Sequence, residues 1–307
     1  MKQLTMEQLA AARNYLLHTA RPLEAARYHY HFAGGDAGEV MAALAPFRTD
    51  SGGYGHALEP DLRTPAPSAL ATSVALQIAE EVAAPASHPA VAGAIDYLLA
   101  TFDSSTARWR IIPPEAETAP HAFWWAADGL DERFGHFWMN PRAELLGCLW
   151  RYAEPERVPW LHATTEALLA ELAEVHEPLA GNDLLCAMRL ATTPQVPAVL
   201  RDPLLARVRA DMLRSVETDP ARWGDYVLRP LEVAPAPDSP FADLFPDAIQ
   251  ANLDYLVEMQ GDDGAWAPVW SWAPLDAAAW AQAEREWKGV LTLAALRELA
   301  AWGRIER

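Results

Sequence analysis

Apolar residues recur along most of the chain at the three- and four-residue spacing of an amphipathic α-helix. The pattern predicts eleven helices, over residues 5–18, 22–33, 36–47, 68–84, 88–102, 141–153, 159–175, 182–192, 200–217, 241–260 and 286–302. Alternating apolar and polar positions, which are typical of half-buried strands, are almost absent. We therefore expect an all-α fold of about 11–12 helices.

The segments between these helices are rich in proline, as in "EPDLRTPAP" and "RPLEVAPAPDSP". Proline fixes the backbone φ angle, so loops of this composition are stiff. No Gly/Ser-rich linker and no change of composition marks a domain boundary. We therefore expect a single domain over residues 1–307.

Two loops about two hundred residues apart share an unusual pattern. Residues 48–54 read "RTDSGGY" and residues 260–266 read "QGDDGAW", and a predicted helix precedes each of them. Each loop has an acid, then a glycine and then an aromatic residue. In the second loop we expect Asp262 to cap backbone amides, Gly264 to adopt a positive φ and Trp266 to fill a gap between helical hairpins. By the alignment, Asp50 takes the capping position of the first loop.

Two weaker copies of the same pattern stand between these loops. They are "FDSSTARW" at residues 102–109 and "ETDPARW" at residues 217–223, and both keep an aspartate and a tryptophan but lose the glycine. The copies recur with a period of roughly 50 residues, which is long for most superhelical repeats of helix pairs. A closed ring of helical hairpins fits this period better.

The motif "QGDDGAW" resembles the Q-x-x-x-G-x-W repeat (QW motif) of squalene and hopene cyclases. The upstream copy is similar, with Arg48 in the glutamine position. The stretches "SGGYGHALEPDLR", "PHAFWW", "NPRAELLGCL" and "EWKGVLTLAALREL" resemble bacterial prenyltransferase and squalene-cyclase repeat proteins. The resemblance spans nearly the whole chain and implies an α/α toroid, the fold of terpenoid cyclases and protein prenyltransferases, in which inner helices line a central cavity and outer helices surround them.

A toroid of this kind implies where the polar groups meet. The helices that follow the repeat loops would be the inner ones, beginning near Ser68, Asn140, Asn182 and Glu286. Their N-termini would point to one mouth of the cavity, where helix dipoles and loop side chains converge.

The candidate catalytic residues are the titratable groups of the loops at that mouth: His56, Glu59, Asp61 and Asp238. Two acids two residues apart repel each other, so that one becomes a proton donor, while Arg63 holds the other ionised. Equally, Arg63 could simply pair with Glu59 and Asp61 and pin a proline-rich loop.

The candidate substrate-binding residues are the other polar and aromatic groups placed near the same mouth: Arg63, His121, Trp124, Trp125, Asn140, Glu144, Asp183, Arg229 and Trp287. Several of these residues also have an ordinary structural explanation. Asn140 and Asn182 have the residue type of ordinary helix N-caps. Of the adjacent Trp124 and Trp125, one is expected to face inward and one outward.

Composition narrows the classes of partner. The net charge of −18, from 24 basic and 42 acidic residues, argues against nucleic acid and anionic membranes as partners. No secretory signal and no apolar run long enough for a membrane span is visible, so we expect a soluble cytoplasmic protein. The two cysteines, Cys148 and Cys186, form neither a disulfide framework nor a zinc motif. Oligomeric state is left open.

Familiar cofactor and metal motifs are missing. Neither D-x-D-D of class II cyclases nor the magnesium-binding D-D-x-x-D is present, and "NDLLC" has its cysteine one position too late for the zinc pattern of protein prenyltransferases. There is no phosphate-binding P-loop and no dinucleotide fingerprint. We expect no cofactor and no metal.

Two kinds of enzyme remain, both acting on a small-molecule ligand. The first uses a Trp-lined cavity and carboxylate acid/base chemistry on an isoprenoid or similarly apolar substrate, because tryptophan faces stabilise carbocations. The second is a carbohydrate-active or sugar-binding toroid with paired carboxylates and Trp platforms. A non-catalytic binding module is the third possibility.

Overall fold

A computed structural model describes residues 1–306. It contains thirteen α-helices and several short 3-10 turns within this range, and strand pairing there is limited to isolated bridges. The helices are α1 (Met6–His18), α2 (Pro22–Phe32), α3 (Ala37–Leu44), α4 (Ala69–Glu81), α5 (Pro89–Thr101), α6 (Leu130–Arg133), α7 (Arg142–Tyr152), α8 (Leu161–Ala173), α9 (Gly181–Thr192), α10 (Ala198–Ser215), α11 (Pro230–Val233), α12 (Pro246–Glu258) and α13 (Ala277–Ala301). The all-α prediction is confirmed.

Each of the eleven predicted helices is present, most of them within a few residues of the predicted bounds. The largest difference is at α13, which begins at Ala277 rather than near Glu286, because the side chain of Asp276 caps the N–H of Ala279 at 3.0 Å. The helices α6 and α11 were not predicted, since a single turn is too short to show a helical period.

The chain divides into two compact units. The terminal unit combines residues 1–43 with residues 215–307, and the central unit is formed by residues 44–214. The prediction of one α/α-toroid domain over residues 1–307 stays a prediction.

In the terminal unit, the two ends of the chain are bonded to each other. The N–H of Leu4 donates to the carbonyl of Arg304 at 2.7 Å, and the N–H of Glu306 donates back to Leu4 at 3.0 Å. The Arg304 side chain is 4% exposed and bonds both the carbonyl of Lys2 and the carboxylate of Asp254 on α12. Helices α1, α2 and α13 pack on one another beside this junction.

In the central unit, α7 is the organising helix, since it packs against α4, α5, α8 and α9. Its contact with α9 is the most extensive, and the two helices run in the same direction. Asn140 lies beside Asp183 at one end of the pair, and Gly147 faces Leu190 further along. A Cβ at Gly147 would lie 3.1 Å from Thr193 Oγ1, so the glycine leaves room for this side chain next to α9.

The two strong repeat loops have the same backbone conformation. In the first, Gly52 N–H donates to the Thr49 carbonyl at 3.0 Å, and in the second Gly264 N–H donates to the Gly261 carbonyl at 2.8 Å. Both glycines have positive φ, +90° for Gly52 and +83° for Gly264. A Cβ on Gly264 would overlap the backbone of Ala11 in α1, so the glycine is needed for its φ and for its size.

The aromatic residue of each loop is fixed by a threonine of the following long helix. The N–H of Tyr54 donates to Thr72 Oγ1 in α4, and the N–H of Trp266 donates to Thr292 Oγ1 in α13, both at 3.1 Å. Gln260 bonds the Gln8 carbonyl in α1 at 2.9 Å. The motif therefore joins helices that are distant in sequence.

The copy at 102–109 keeps the positive φ before the aromatic residue without the glycine. Ala107 has φ +56°, two residues before Trp109, just as Gly264 stands two residues before Trp266. The Trp109 indole N–H donates to the Leu98 carbonyl at 2.7 Å. The copy at 217–223 differs, because the indole of Trp223 bonds a carbonyl of its own segment.

The predicted capping role of Asp50 and Asp262 is wrong, since both side chains are exposed and the loop amides bond the next residue. The N–H of Gly53 donates to Ser51 Oγ at 3.4 Å, and the N–H of Ala265 donates to Asp263 Oδ1 at 3.1 Å. In each loop the tight turn directs the side chain of the residue after the aspartate, Ser51 or Asp263, toward the backbone amides.

Candidate functional site

Two of the predicted site segments lie side by side in the central unit. Leu62 and His121 form an antiparallel bridge, flanked by a bond of 3.1 Å from Arg63 N–H to the Pro120 carbonyl. On the other side, the N–H of Ala122 donates to the Asp61 carbonyl at 2.9 Å. Loop 56–63 and residues 121–125 are therefore adjacent, as the predicted site requires.

The side chains of loop 56–63 differ in exposure. Asp61 is 2% exposed, Glu59 and Arg63 are half-buried, and His56 is exposed with φ +53°. The Arg63 guanidinium donates to the Pro60 carbonyl at 3.2 Å. This bond supports a loop-fixing role for Arg63, while the catalytic role of Glu59, Asp61 and His56 stays a prediction.

In the aromatic segment after His121, the adjacent side chains of Trp124 and Trp125 differ in exposure. Trp125 is 7% exposed and stacks on Phe134, with ring centroids 5.1 Å apart. Trp124 is half-buried and touches Phe123 edge to face. His121 Nδ1 lies 2.9 Å from the Ala122 carbonyl. Trp125 is thus a packing residue, and Trp124 is the more accessible of the pair.

A polar cluster joins three predicted residues, of which Asn140 and Glu144 are buried and Asp183 is half-buried. The backbone N–H of Asn140, just before α7, bonds the carboxylate of Asp183 in the first turn of α9. Glu144 follows one turn into α7 and is 5% exposed. The parallel packing of α7 and α9 brings both carboxylates to the same helix pair.

Glu144 is held by three side chains that were not predicted to belong to the site. Arg189 Nη1 donates to Glu144 Oε2 at 2.9 Å, and Gln77 Nε2 of α4 donates to Oε1. The thiol of Cys186 lies 3.6 Å from the same carboxylate. Asp183, Cys186 and Arg189 follow one another at three-residue spacing, so helical periodicity could have indicated that they share one face of α9.

The cluster favours the protonated forms of two of its groups. Burial raises the pKa of Asp183, although the bond from Asn140 N–H opposes this. Burial and the nearby Glu144 carboxylate raise the pKa of Cys186 well above its usual range. Cys186 is therefore a thiol that donates a weak hydrogen bond and not a thiolate nucleophile.

The predicted helix starts near Asn140 and Asn182 are confirmed to within two residues, but the N-cap roles of both asparagines and the helix start near Glu286 are wrong. Asn140 does not cap α7, because Pro141 is the residue at the cap and is joined to Asn140 by a cis peptide bond. Asn182 lies inside α9, whose cap position is Ala180. Glu286 lies in the middle of α13 and accepts a bond of 3.0 Å from Gln282. The predicted helix start near Ser68 is confirmed, since α4 begins at Ala69 and the Ser68 side chain caps it by accepting from Ala71 N–H at 2.9 Å.

The other predicted residues belong to the terminal unit. Asp238 is exposed in the proline-rich turn after α11, and Arg229 stands at the cap of α11 with its Nε 3.4 Å from Glu232. Trp287 of α13 meets Trp270 edge to face, at 5.1 Å between ring centroids. Trp270 meets the exposed Tyr226 in the same way at 5.6 Å.

One carboxyl group of the terminal unit was missed by the sequence reasoning. Burial, followed by the charge of Glu232, raises the pKa of Glu298 in α13 to about 8, while Arg229 and Arg297 oppose the shift. An isolated glutamate within a long helix gives no sequence signal of such an environment.

No protein-family model matches this chain, and comparisons with curated proteins and with solved structures find no match either. Within residues 1–306, the His, Cys, Asp and Glu side chains form no group of three or more that could hold a metal ion. Over the same range, every helix is too short or too polar to span a membrane.

Proposed function

We propose that this protein is an enzyme that transfers a proton to an isoprenoid or similarly apolar substrate, with Asp183 as the proton donor. The observation that carries the proposal is the placement of two carboxyl groups with different surroundings on one helix pair. Asp183 has a single described bond, from Asn140 N–H, whereas Glu144 is held by Arg189 and Gln77.

The surroundings of Asp183 suit a general acid. A carboxyl group delivers a proton near neutral pH only if its pKa is raised, and burial acts on Asp183 in that direction. After transfer, the Asn140 N–H and the N-terminus of α9 stabilise the carboxylate that remains. The bond from Asn140 thus serves the product state of the transfer.

Glu144 suits a different role. Its bonds to Arg189 and Gln77 fix the position of the carboxylate, whose charge Arg189 balances. The fixed carboxylate oxygens supply an oriented dipole that stabilises positive charge developing on an apolar substrate after protonation. Pairs of carboxyl groups in unlike environments commonly divide acid and acceptor roles in this way.

The substrate class is supported by the sequence motif. The repeat loops resemble those of squalene and hopene cyclases, and the described contacts give each motif residue a structural role. The predicted acids Glu59 and Asp61, in the same central unit, are the second candidates for the donor.

A carbohydrate-active enzyme is the second candidate function. The observation that favours it is the aromatic group of the terminal unit, where Tyr226 is 70% exposed and stands perpendicular to Trp270. Aromatic rings that combine an apolar face with a polar edge are suited to stacking on sugar rings.

The test is incubation in D₂O with a panel of acyclic isoprenoids, namely squalene, farnesol, geranylgeraniol and the diphosphates of the two alcohols. Mass spectrometry should detect one deuterium in the product, whatever its skeleton, because the donor exchanges with solvent. Asp183→Asn should abolish incorporation, and Asp202→Asn, at an exposed position on α10, should not.

Absence of deuterium from every isoprenoid, or full activity of Asp183→Asn, contradicts the proposal. The second candidate is tested in H₂¹⁸O with oligosaccharides. Incorporation of ¹⁸O at a reducing end would favour the carbohydrate function over the isoprenoid one.

A further inference from the structure

Helices α4 and α13 end in the same way. After α4, Ala83 has φ +52°, and the N–H of the next residue donates to the Ala79 carbonyl at 2.8 Å. After α13, Gly303 has φ +67°, and the N–H of the next residue donates to the Leu299 carbonyl at 2.7 Å. A bond that reaches back over a left-handed residue is the Schellman motif, which is common at helix ends. By itself, this similarity does not relate the two helices.

The similarity extends to the repeat loops that precede these helices. The threonines that bind the loop aromatic residues, Thr72 in α4 and Thr292 in α13, lie at the same distance in sequence from the left-handed residue. Each loop also packs on a second helix. A Cβ at Gly52 would overlap the Gly93 carbonyl in α5, just as one at Gly264 would overlap the backbone of α1. The loop before α4 thus contacts α5, and the loop before α13 contacts α1.

The second helices, α5 and α1, also correspond. One turn after the residue that contacts the loop glycine, each of them carries a tyrosine. The Tyr97 hydroxyl of α5 donates to the Pro67 carbonyl, just before α4, at 3.1 Å. The Tyr15 hydroxyl of α1 donates to the Arg285 carbonyl of α13 at 3.2 Å. The pair α13–α1 therefore repeats the helical hairpin α4–α5, from the loop before the first helix to the tyrosine of the second.

The two pairs differ in how their helices are connected. Residues 82–88 lead directly from α4 to α5, whereas α13 and α1 are far apart in sequence. Hydrogen bonds take the place of the loop. The backbone of Leu4 bonds that of Arg304 and Glu306, and the N–H of Met6, at the start of α1, donates to the carboxylate of residue 306 at 3.2 Å. We call this junction the clasp, and it consists of Lys2, Leu4, Asp254, Arg304 and Glu306.

Arg304 is the centre of the clasp. Its buried guanidinium donates to the Asp254 carboxylate at 2.7 Å, to the Gln250 side chain at 2.8 Å and to the Lys2 carbonyl. The Lys2 N–H donates to the same carboxylate at 2.6 Å. Hydrogen bonds to a charged group are among the stronger ones in proteins. The segment before α1 is therefore fixed to α12 as well as to the end of α13.

We propose that α13 and α1 form a split helical hairpin and that α1 is a strap, which the clasp fastens to the terminal unit. In α4–α5, the short connection keeps the two helices at a high effective concentration. In α13–α1, the strap is tethered only through α2, so the clasp holds its N-terminal end. The strap and the clasp therefore open together, and they do so at a lower free energy than the continuous hairpin.

Hydrogen–deuterium exchange, followed by mass spectrometry of the full chain without substrate, tests the strap. In the parent protein the amides of α1 should exchange faster than those of α5. Arg304→Gln should speed the exchange of α1 by about tenfold or more and leave α5 unchanged, because the clasp loses its charged hydrogen bonds. Asp254→Asn keeps an acceptor and should give a smaller increase in the same segment. Arg157→Gln, at an exposed pair with Asp96 of α5, is the control and should not affect α1.

A circular permutant tests the equivalence of the two hairpins. A flexible Gly/Ser linker of about ten residues joins the end of the chain to residue 1. The chain is opened between Ala86 and Ser87, which are exposed. This makes α13–α1 continuous and α4–α5 split, so α5 should now exchange faster than α1. Unchanged α1 exchange in both clasp variants, or a permutant in which α1 still exchanges faster than α5, would overturn the proposal. Neither measurement depends on the proposed enzyme function.

Discussion

The indole N–H of Trp266 donates a hydrogen bond of 2.7 Å to the main-chain carbonyl oxygen of Leu256, near the end of α12. Carbonyls in the last turn of a helix have no partner within the helix, so this bond satisfies one of them. Trp109 bonds the Leu98 carbonyl of α5 at the same distance. The tryptophan of the repeat loop thus caps the C-terminal end of the preceding helix by bonding one of its last carbonyl groups.

The packing role of Trp266 can be tested by its effect on stability, with Trp302 as the control position. Trp266→Ala should lower the free energy of unfolding by about 3–5 kcal/mol, as expected for a buried large aromatic residue. Trp266→Phe should lower it by about 1–2 kcal/mol more than Trp302→Phe, because the indole N–H of Trp302 has no described partner. Urea denaturation measures both. Equal losses in the two phenylalanine variants would show that the bond to Leu256 adds nothing.

Ala107 offers a test of the repeat conformation itself. An alanine with φ +56° is strained, and glycine is the residue found at this place in the stronger copies. Ala107→Gly should therefore raise stability by up to about 1 kcal/mol, whereas Ala100→Gly, on the exposed side of α5, should lower it by about 0.5–1 kcal/mol. Thermal melting measures the stability of both variants. A loss of stability in both would argue against a strained alanine at position 107.

Much of the fold could be predicted from the sequence, because the helices bury one face and so leave a period in the pattern. The glycine and aromatic residues of the repeat were assigned correctly for the same local reason: Gly264 and Trp266 act within a few residues of each other. The capping residue of the second loop was assigned incorrectly. The choice between Asp262 and Asp263 depends on the direction in which each side chain leaves a tight turn. The start of α13 was missed because the alanine-rich segment before Glu286 has no clear apolar period.

The Glu144–Arg189 pair leads to the third prediction. Arg189→Met removes one partner and leaves a buried carboxylate, so unfolding free energy should fall by about 2–3 kcal/mol. The double variant Glu144→Gln with Arg189→Met should recover part of this loss, because no unpaired charge remains. Chemical denaturation of the parent protein, Arg189→Met, Glu144→Gln and the double variant gives the coupling energy. Additive losses would show that the two side chains do not depend on each other.

The raised pKa of Glu298 predicts that the stability of the fold depends on pH. Its pKa in the folded protein is raised to about 8, and an unfolded glutamate has a pKa of about 4.3. Between these values the folded state holds a proton that the unfolded state releases, so this group destabilises the fold progressively as pH rises from ~4.3 to about 8. Glu298→Gln should therefore raise the melting temperature at pH 8 and leave it nearly unchanged at pH 4.5.

The control for this effect is Glu284→Gln on the same helix, which should show no such gain at pH 8. A melting temperature of Glu298→Gln that follows the parent protein at both pH values would mean that Glu298 is ionised in the fold like an ordinary glutamate.

The candidate site was predictable only in part, for a physical reason. Asn140, Glu144 and Asp183 stood out because they are polar groups near the predicted N-termini of helices that were expected to meet at one mouth of a cavity. Gln77 and Arg189 did not, since each looks like an ordinary polar residue of its own helix. Their role arises from the packing of α4 and α9 on α7, which no local pattern records.

The protonation of Asp183 is the most direct test of the proposed chemistry, and it requires no substrate. Selective ¹³C labelling of aspartate carboxyl carbons, with Asp183→Asn to assign the signal, gives the titration curve of this group by NMR. A pKa above the ordinary aspartate value of about 3.9 is expected. A pKa at or below about 3.9 would mean that Asp183 is fully ionised near neutral pH, and would contradict its role as the proton donor.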